Sequence, residues 1–211
     1  SLQSKTALTD RLSLVPDEYV NPSPIPTAVK EVIEHLLGSD FSASAITDFL
    51  FRKRPRFATG TKDPIVASDI GGEQFTAAVI SATGELDGSY LCIQGPPGAG
   101  KTYTARHIIA DLLEKGKRIG VSSNSHKAII NLMSGVAGYA LDKGIEGRLI
   151  KVGGDEEDTI FDKANVHYRK NARACEDDLG EAPLCVGGTA WLFCNNVMSP
   201  DAGCEPLDYL F

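Results

Sequence analysis

The sequence has little that would mark it for a membrane, an oxidising compartment or a coat on nucleic acid. None of its 211 residues fall in a run approaching the ~20 consecutive apolar positions that a membrane helix needs. The opening SLQSKTALTD lacks a basic stretch followed by an apolar one, so no secretory leader is expected. Its five cysteines, Cys92, Cys175, Cys185, Cys194 and Cys204, are odd in number and show no C-x-x-C spacing. That argues against a disulfide framework or a close-paired metal site and for reduced thiols in the cytoplasm. Cations are outnumbered, 21 Lys and Arg against 28 Asp and Glu, for a net charge of −7. Nonspecific coating of nucleic acid needs many cationic contacts to phosphate, whereas a narrow track needs few.

What is present reads as an α/β chain. Residues 1–60 are expected to form a helical segment or linker. Val29, Val32, Ile33, Leu36 and Leu37 recur at helical spacing up to Gly38. A second helix after Ser42 carries Ala45, Ile46, Phe49 and Leu50 on one face and ends before Pro55. Its basic tail, Arg52-Lys53-Arg54-Pro55-Arg56, suits either a solvated helix end or a phosphate contact. From about residue 61 the pattern becomes regular. A helix with Phe75, Ala78, Val79 and Ala82 on one face precedes a strand at Tyr90–Gln94. Helix Lys101–Lys115, strand Ile119–Ser122, a helix from Ser125 to Gly144 and strand Leu149–Val152 then alternate. Such alternation predicts a parallel sheet with helices on its faces. Residues 155–182 read as a polar, partly helical insertion, followed by strands at Leu184–Val186 and Leu207–Phe211.

The chemistry begins at GPPGAGKT, which satisfies G-x-x-x-x-G-K-[ST]. Glycines let such a loop turn through positive φ and bring backbone N–H groups against phosphate. The helix that follows adds the positive end of its dipole. Lys101 supplies a point charge for the outer phosphates, and Thr102 a hydroxyl for Mg²⁺. The expected cradle runs through Gly95, Pro96, Pro97, Gly98, Ala99, Gly100, Lys101, Thr102 and Tyr103, with ATP and Mg as ligands.

Two further strand ends open into loops of small polar residues. Ser122-Ser123-Asn124-Ser125-His126 follows the second strand, and Gly187-Gly188-Thr189-Ala190-Trp191 follows the fourth. Short donors beside a helix start suit a sugar–phosphate backbone, which is positioned rather than read. Ser125 is also a natural helix cap. Trp191, the one tryptophan, fits a core anchor better than a base-stacking platform. Upstream, Gln74 has the donor and acceptor that an adenine edge requires.

IQGPPGAGKT, SSNSHKAI and VGGTA resemble motifs I, Ia and Ic of superfamily-1 helicases, and EQFTAAV resembles the Q motif of one branch. That branch holds the nonsense-mediated-decay helicase and the helicase–nuclease of lagging-strand maturation. SNSHKAI is most similar to bacterial members that carry a RecB-like nuclease on the same polypeptide. The resemblance implies a RecA-like P-loop NTPase fold over residues 61–211 and a first motor domain of an ATP-dependent helicase. It implies adenine recognition by Gln74 and single-strand contact, DNA favoured, by Ser123, Asn124, Ser125 and Thr189. For His126, backbone contact and plain helix-start packing both remain open. A second RecA-like domain and a RecB-like nuclease domain are the implied partners.

The family continues with an apolar strand ending in Asp-Glu, which orders Mg²⁺ and the attacking water. Leu207-Asp-Tyr-Leu-Phe211 matches the strand alone, and Asp155-Glu156 stands two glycines past its own strand. The expectation is therefore a truncated domain that binds ATP but has lost turnover. Two alternatives compete with the motor: a small-molecule kinase or other soluble P-loop ATPase, and a non-catalytic nucleotide-binding module.

Overall fold

The computed structural model describes residues 21–60, 62–155 and 166–211. Two helices, α1 (Ile25–Gly38) and α2 (Ala45–Leu50), lead into α3 (Gly72–Gly84). Helix α4 (Lys101–Glu114), strand β1 (Arg118–Ser122), helix α5 (His126–Lys143) and strand β2 (Arg148–Val152) then alternate as the sequence predicts. Strand β3 (Val166–Arg169), a 3-10 segment (Ala172–Asp178), strand β4 (Leu184–Gly188), helix α6 (Ala190–Phe193) and strand β5 (Tyr209–Leu210) complete it. The strands form one sheet in the order β3-β2-β4-β1-β5, and every pair is parallel. An all-parallel sheet flanked by helices is the RecA-like P-loop architecture expected from the sequence.

Period-two alternation sorts the strands between two cores. Ile119, Val121, Leu149 and Cys185 face Ile108, Leu112, Ile129 and Met133 of α4 and α5. Ile150, Val152, Leu184 and Val186 face the other way, onto Leu192, Cys175, Leu179 and Cys204. Glycine in β1 reflects close approach. A Cβ at Gly120 would lie 2.7 Å from Leu210 and 2.8 Å from Leu207, so the chain before β5 packs flat on the sheet. Gly144 ends α5 in the left-handed region at φ 66°.

Several expectations are corrected. Residues 90–94 carry no strand pairing among the described residues. Leu91 and Ile93 instead line a cleft of about 1070 Å³ that Tyr209, Leu210 and Phe211 also line. The described part of 155–182 is partly helical as expected, in the 3-10 segment, but it also carries a strand that was not expected, because VHYR pairs with β2 at the sheet edge. Residues 156–165 of that expectation lie outside the described residues. The apolar faces of α1 and α2 are largely exposed: Leu37 is 62% accessible and Phe49 56%, while Thr47 and Asp48 are buried. Trp191 is also exposed, its indole N–H donating to the Asn21 carbonyl at 2.9 Å, so it does not anchor the core.

The basic tail of α2 is drawn into structure. Arg54 pairs with Asp63 at 3.2 Å. Arg56 donates to buried Asp48 at 2.8 Å and to the Gly88 carbonyl at 2.9 Å. Ser89 donates to the same Asp48 oxygen at 2.8 Å, and Tyr90 donates to the Lys53 carbonyl at 2.7 Å. Helix α2 and its tail therefore grip the segment that runs into the phosphate loop.

Candidate functional site

The phosphate loop is shaped by two left-handed glycines, Gly98 and Gly100, each at φ 81°. Any other L-residue there would be strained. Gly100 caps α4, so the helix starts at Lys101 and its first amides open onto the loop. A Cβ at Gly95 would come within 2.9 Å of the Ala99 side chain, which keeps the loop narrow. Lys101 folds over the loop, its ammonium donating to the carbonyls of Gly95 at 2.6 Å and Pro96 at 2.9 Å. Pro96, Pro97, Ala99, Thr102 and Tyr103 are exposed. Lys101 and Thr102 sit on the wall of the 1070 Å³ cleft. Tyr103 is the first ring of a ladder with His107 and Tyr139, at centroid separations of 4.3 and 4.4 Å. Gln74 is exposed on the first turn of α3.

The second set of residues gathers along the carboxyl ends of the strands, the edge on which open α/β sheets bind ligands. Ser122 is in register with Gly188 in the β1–β4 pair, so Ser123 and Thr189 both emerge one residue past a paired position. Ser123 Oγ accepts from the Ser125 amide at 3.2 Å, and Ser125 Oγ accepts from the Ala128 amide at 3.4 Å, capping α5. Asn124 and Ser125 are exposed. Thr189 begins α6 without a side-chain cap bond.

His126, the first residue of α5, reaches the end of β2. Its Nδ1 lies 3.0 Å from the ammonium of Lys151. Lys151 is fully buried and also donates to the carbonyls of Val152 at 2.8 Å and Gly153 at 2.6 Å. A Cβ at Gly153 or Gly154 would lie 3.1 Å from the imidazole, so the ring rests on bare backbone. Burial pushes the His126 pKa down, repulsion from Lys151 pushes it further, and Asp155 opposes them. Asp208 stands at the amino end of β5, accepting from the Arg118 amide at 2.8 Å, and serves the fold there. Asp155 follows β2, which β4 and β1 separate from β5 and its cleft.

Sequence reasoning missed three buried polar residues that hold this frame: Asp48, Lys151 and Arg118. Arg118 donates to the carbonyls of Leu179 at 2.7 Å and Glu205 at 3.1 Å, tying two connections to the start of β1. A charge in the middle of RLIKV and at the head of RIGVS was the available signal.

Among the described residues no helix is long and apolar enough to cross a membrane. No curated protein and no solved structure matches the chain. Residues 74–178 match a family model described as an AAA domain. With the parallel sheet that surrounds the phosphate loop, this match supports a helicase-like P-loop domain over these residues.

Proposed function

We propose that this chain is the nucleotide-binding first motor domain of an ATP-dependent nucleic-acid helicase or translocase. Within superfamily 1 its branch is that of the nonsense-mediated-decay and lagging-strand-maturation helicases, with a RecB-like nuclease on the parent polypeptide. The observation that carries the reading is the loop of residues 95–102: two left-handed glycines, a helix start at Lys101 and an exposed Lys101–Thr102 pair on a cleft wall. These residues fit a nucleotide polyphosphate. Backbone amides of 98–102 would surround the phosphates, and Lys101 would exchange two neutral carbonyls for anionic oxygens, a stronger charge-assisted bond. Thr102 would carry the Mg²⁺. Bound ATP supplies the phosphoanhydride whose cleavage powers such motors. Gln74 would face the adenine, and Ser123, Asn124, Ser125, His126 and Thr189 would hold a single strand.

The test is binding of a fluorescent ADP analogue with Mg²⁺. Lys101→Ala should weaken it by about 10- to 100-fold, the loss of one or two charge-assisted bonds. Equal affinity in wild type and variant would overturn the assignment.

A further inference from the structure

Lys151 is an unusual residue to find buried within a parallel sheet. Its neighbours in β2 are Leu149, Ile150 and Val152, all buried. Burying an ammonium is unfavourable unless hydrogen bonds replace its water. Two of its bonds end the strand, at the Val152 and Gly153 carbonyls. A third reaches a residue of the candidate strand-binding row, His126, at the start of α5.

The direction of that third bond follows from the charge of Lys151. Two protons go to the Val152 and Gly153 carbonyls, which only accept; the ammonium keeps a third proton and has no lone pair to offer a ring N–H. The imidazole nitrogen facing it is therefore the acceptor. The proton of the neutral ring must sit on the other nitrogen. The bare backbone of Gly153 and Gly154 holds the ring plane, and Tyr168 steadies that turn by donating to the Gly154 carbonyl at 2.9 Å.

We propose that Lys151 is a positioning residue for His126: it locks the imidazole as the Nε2–H tautomer, which offers one uncharged N–H to the phosphate of a bound single strand. This rests on the strand-binding role proposed above for residues 123–126 and 189. Lys151 itself is fully buried and acts only through the ring. The depressed His126 pKa agrees, since a second cation beside Lys151 is disfavoured. The arrangement lets a chain of net charge −7 add a phosphate donor without an exposed cation.

The test uses the full chain. Long-range ¹H–¹⁵N spectra should show His126 with protonated Nε2 and bare Nδ1. In Lys151→Met the ring should lose that fixed pattern. Affinity for fluorescein-labelled oligothymidylate should fall about 10-fold, the loss of one bond to a charged acceptor, with Mg²⁺–ADP binding unchanged. A second pair of variants avoids the risk that Lys151→Met does not fold. His126→Gln, whose amide nitrogen reaches the Nε2 position, should keep most of the oligonucleotide affinity, whereas His126→Phe should lose about 10-fold. A protonated Nδ1 in wild type, or oligonucleotide binding indifferent to all three substitutions, overturns the proposal alone. If wild type binds no oligonucleotide while the tautomer is as described, the strand-binding reading falls, and with it the role of His126.

Discussion

Asp48 offers a measurement of how strongly α2 holds the segment that leads into the phosphate loop. Its side chain is 1% exposed, and one oxygen receives both Arg56 at 2.8 Å and Ser89 at 2.8 Å. Removing one partner of a fully buried ion pair is worth about 3–5 kcal/mol. Arg56 is 37% exposed and regains water, which moves Asp48→Ala to the bottom of that range or below, about 2–3 kcal/mol. With a urea m-value of about 2–3 kcal/mol per M for a chain of this size, the unfolding midpoint should drop by about 1 M. Asp48→Asn keeps an oxygen for both donors but loses the charge and sets an amide N–H group where Oδ1 is buried without a partner, so its shift should be comparable to that of Asp48→Ala. Both variants also differ from wild type in acid. Burial raises the Asp48 carboxyl, but hydrogen bonds from Arg56 and Ser89 and the charges of Arg56 and Lys53 outweigh it and leave it below its ordinary 3.8. A lowered folded pKa means the contribution is complete above 3.8 and disappears as pH falls through the folded value. Asp48→Ala and Asp48→Asn should both lack that acid-limb loss. Ser89 and Tyr90 lead directly into the loop, so Asp48→Ala should also weaken nucleotide binding while the chain remains folded. A midpoint within about 0.2 M of wild type would refute the reasoning, since it would leave the buried pair contributing less than a surface one.

Glu85 gives a second acid-dependent signal. Hydrogen bonds from Lys62, Thr59 and Ser81 hold its carboxyl down to about 2, so stability should decline as pH falls from 4.5 toward 2, and Glu85→Gln should flatten that part of a pH-dependent melting curve. Thiol labelling should sort the cysteines. Cys92 is exposed and should react with a maleimide in the folded chain, whereas burial pushes Cys185 up to about 12 and Cys175 up to about 11, so both should react only after unfolding. Mass spectrometry of labelled peptides before and after denaturant reads both results.

The elements legible in the sequence were those whose signal is local. Ile108, Ile109, Leu112 and Leu113 mark one face of α4, glycines stand at the ends of α4 and α5, and short apolar runs give β1, β2 and β4. The phosphate loop was legible for the same reason, because its geometry is set by glycines within one turn of each other. What escaped depended on partners distant in sequence. The stripe of Val29, Val32, Ile33 and Leu37 looks like a core face, yet in the described residues it is mostly exposed. Burial in α2 falls instead on Thr47 and Asp48, because Asp48 is bonded to Ser89, 41 residues away. VHYR alternates too weakly to announce a strand, and β2 supplies the hydrogen bonds that make it one. The candidate row was only half visible. Ser123, Asn124, Ser125 and Thr189 could be named from short motifs, but Lys151 acquires its meaning only from His126, 25 residues earlier.

That same topology brings the two proposed binding regions into contact. Ser122 lines the cleft that Lys101 and Thr102 border, and the next residue, Ser123, begins the polar row. One rigid strand end therefore belongs to both. Ser122 donates its amide to the Phe211 carbonyl at 2.7 Å, and its Cα is in register with Gly188, so β5 on one side and β4 on the other fix where it ends. From there α5 starts within four residues, capped by Ser125, and its first side chain is fastened to β2 through Lys151. A phosphate group drawn toward the loop and one drawn toward the row would both bear on the same short, packed connection. In a close-packed interior such a connection has few ways to yield to one alone. Coupling between nucleotide and strand, if the chain binds both, needs no long path through the molecule. It requires only that the end of β1 be stiff, which the hydrogen bonds on either side of it provide.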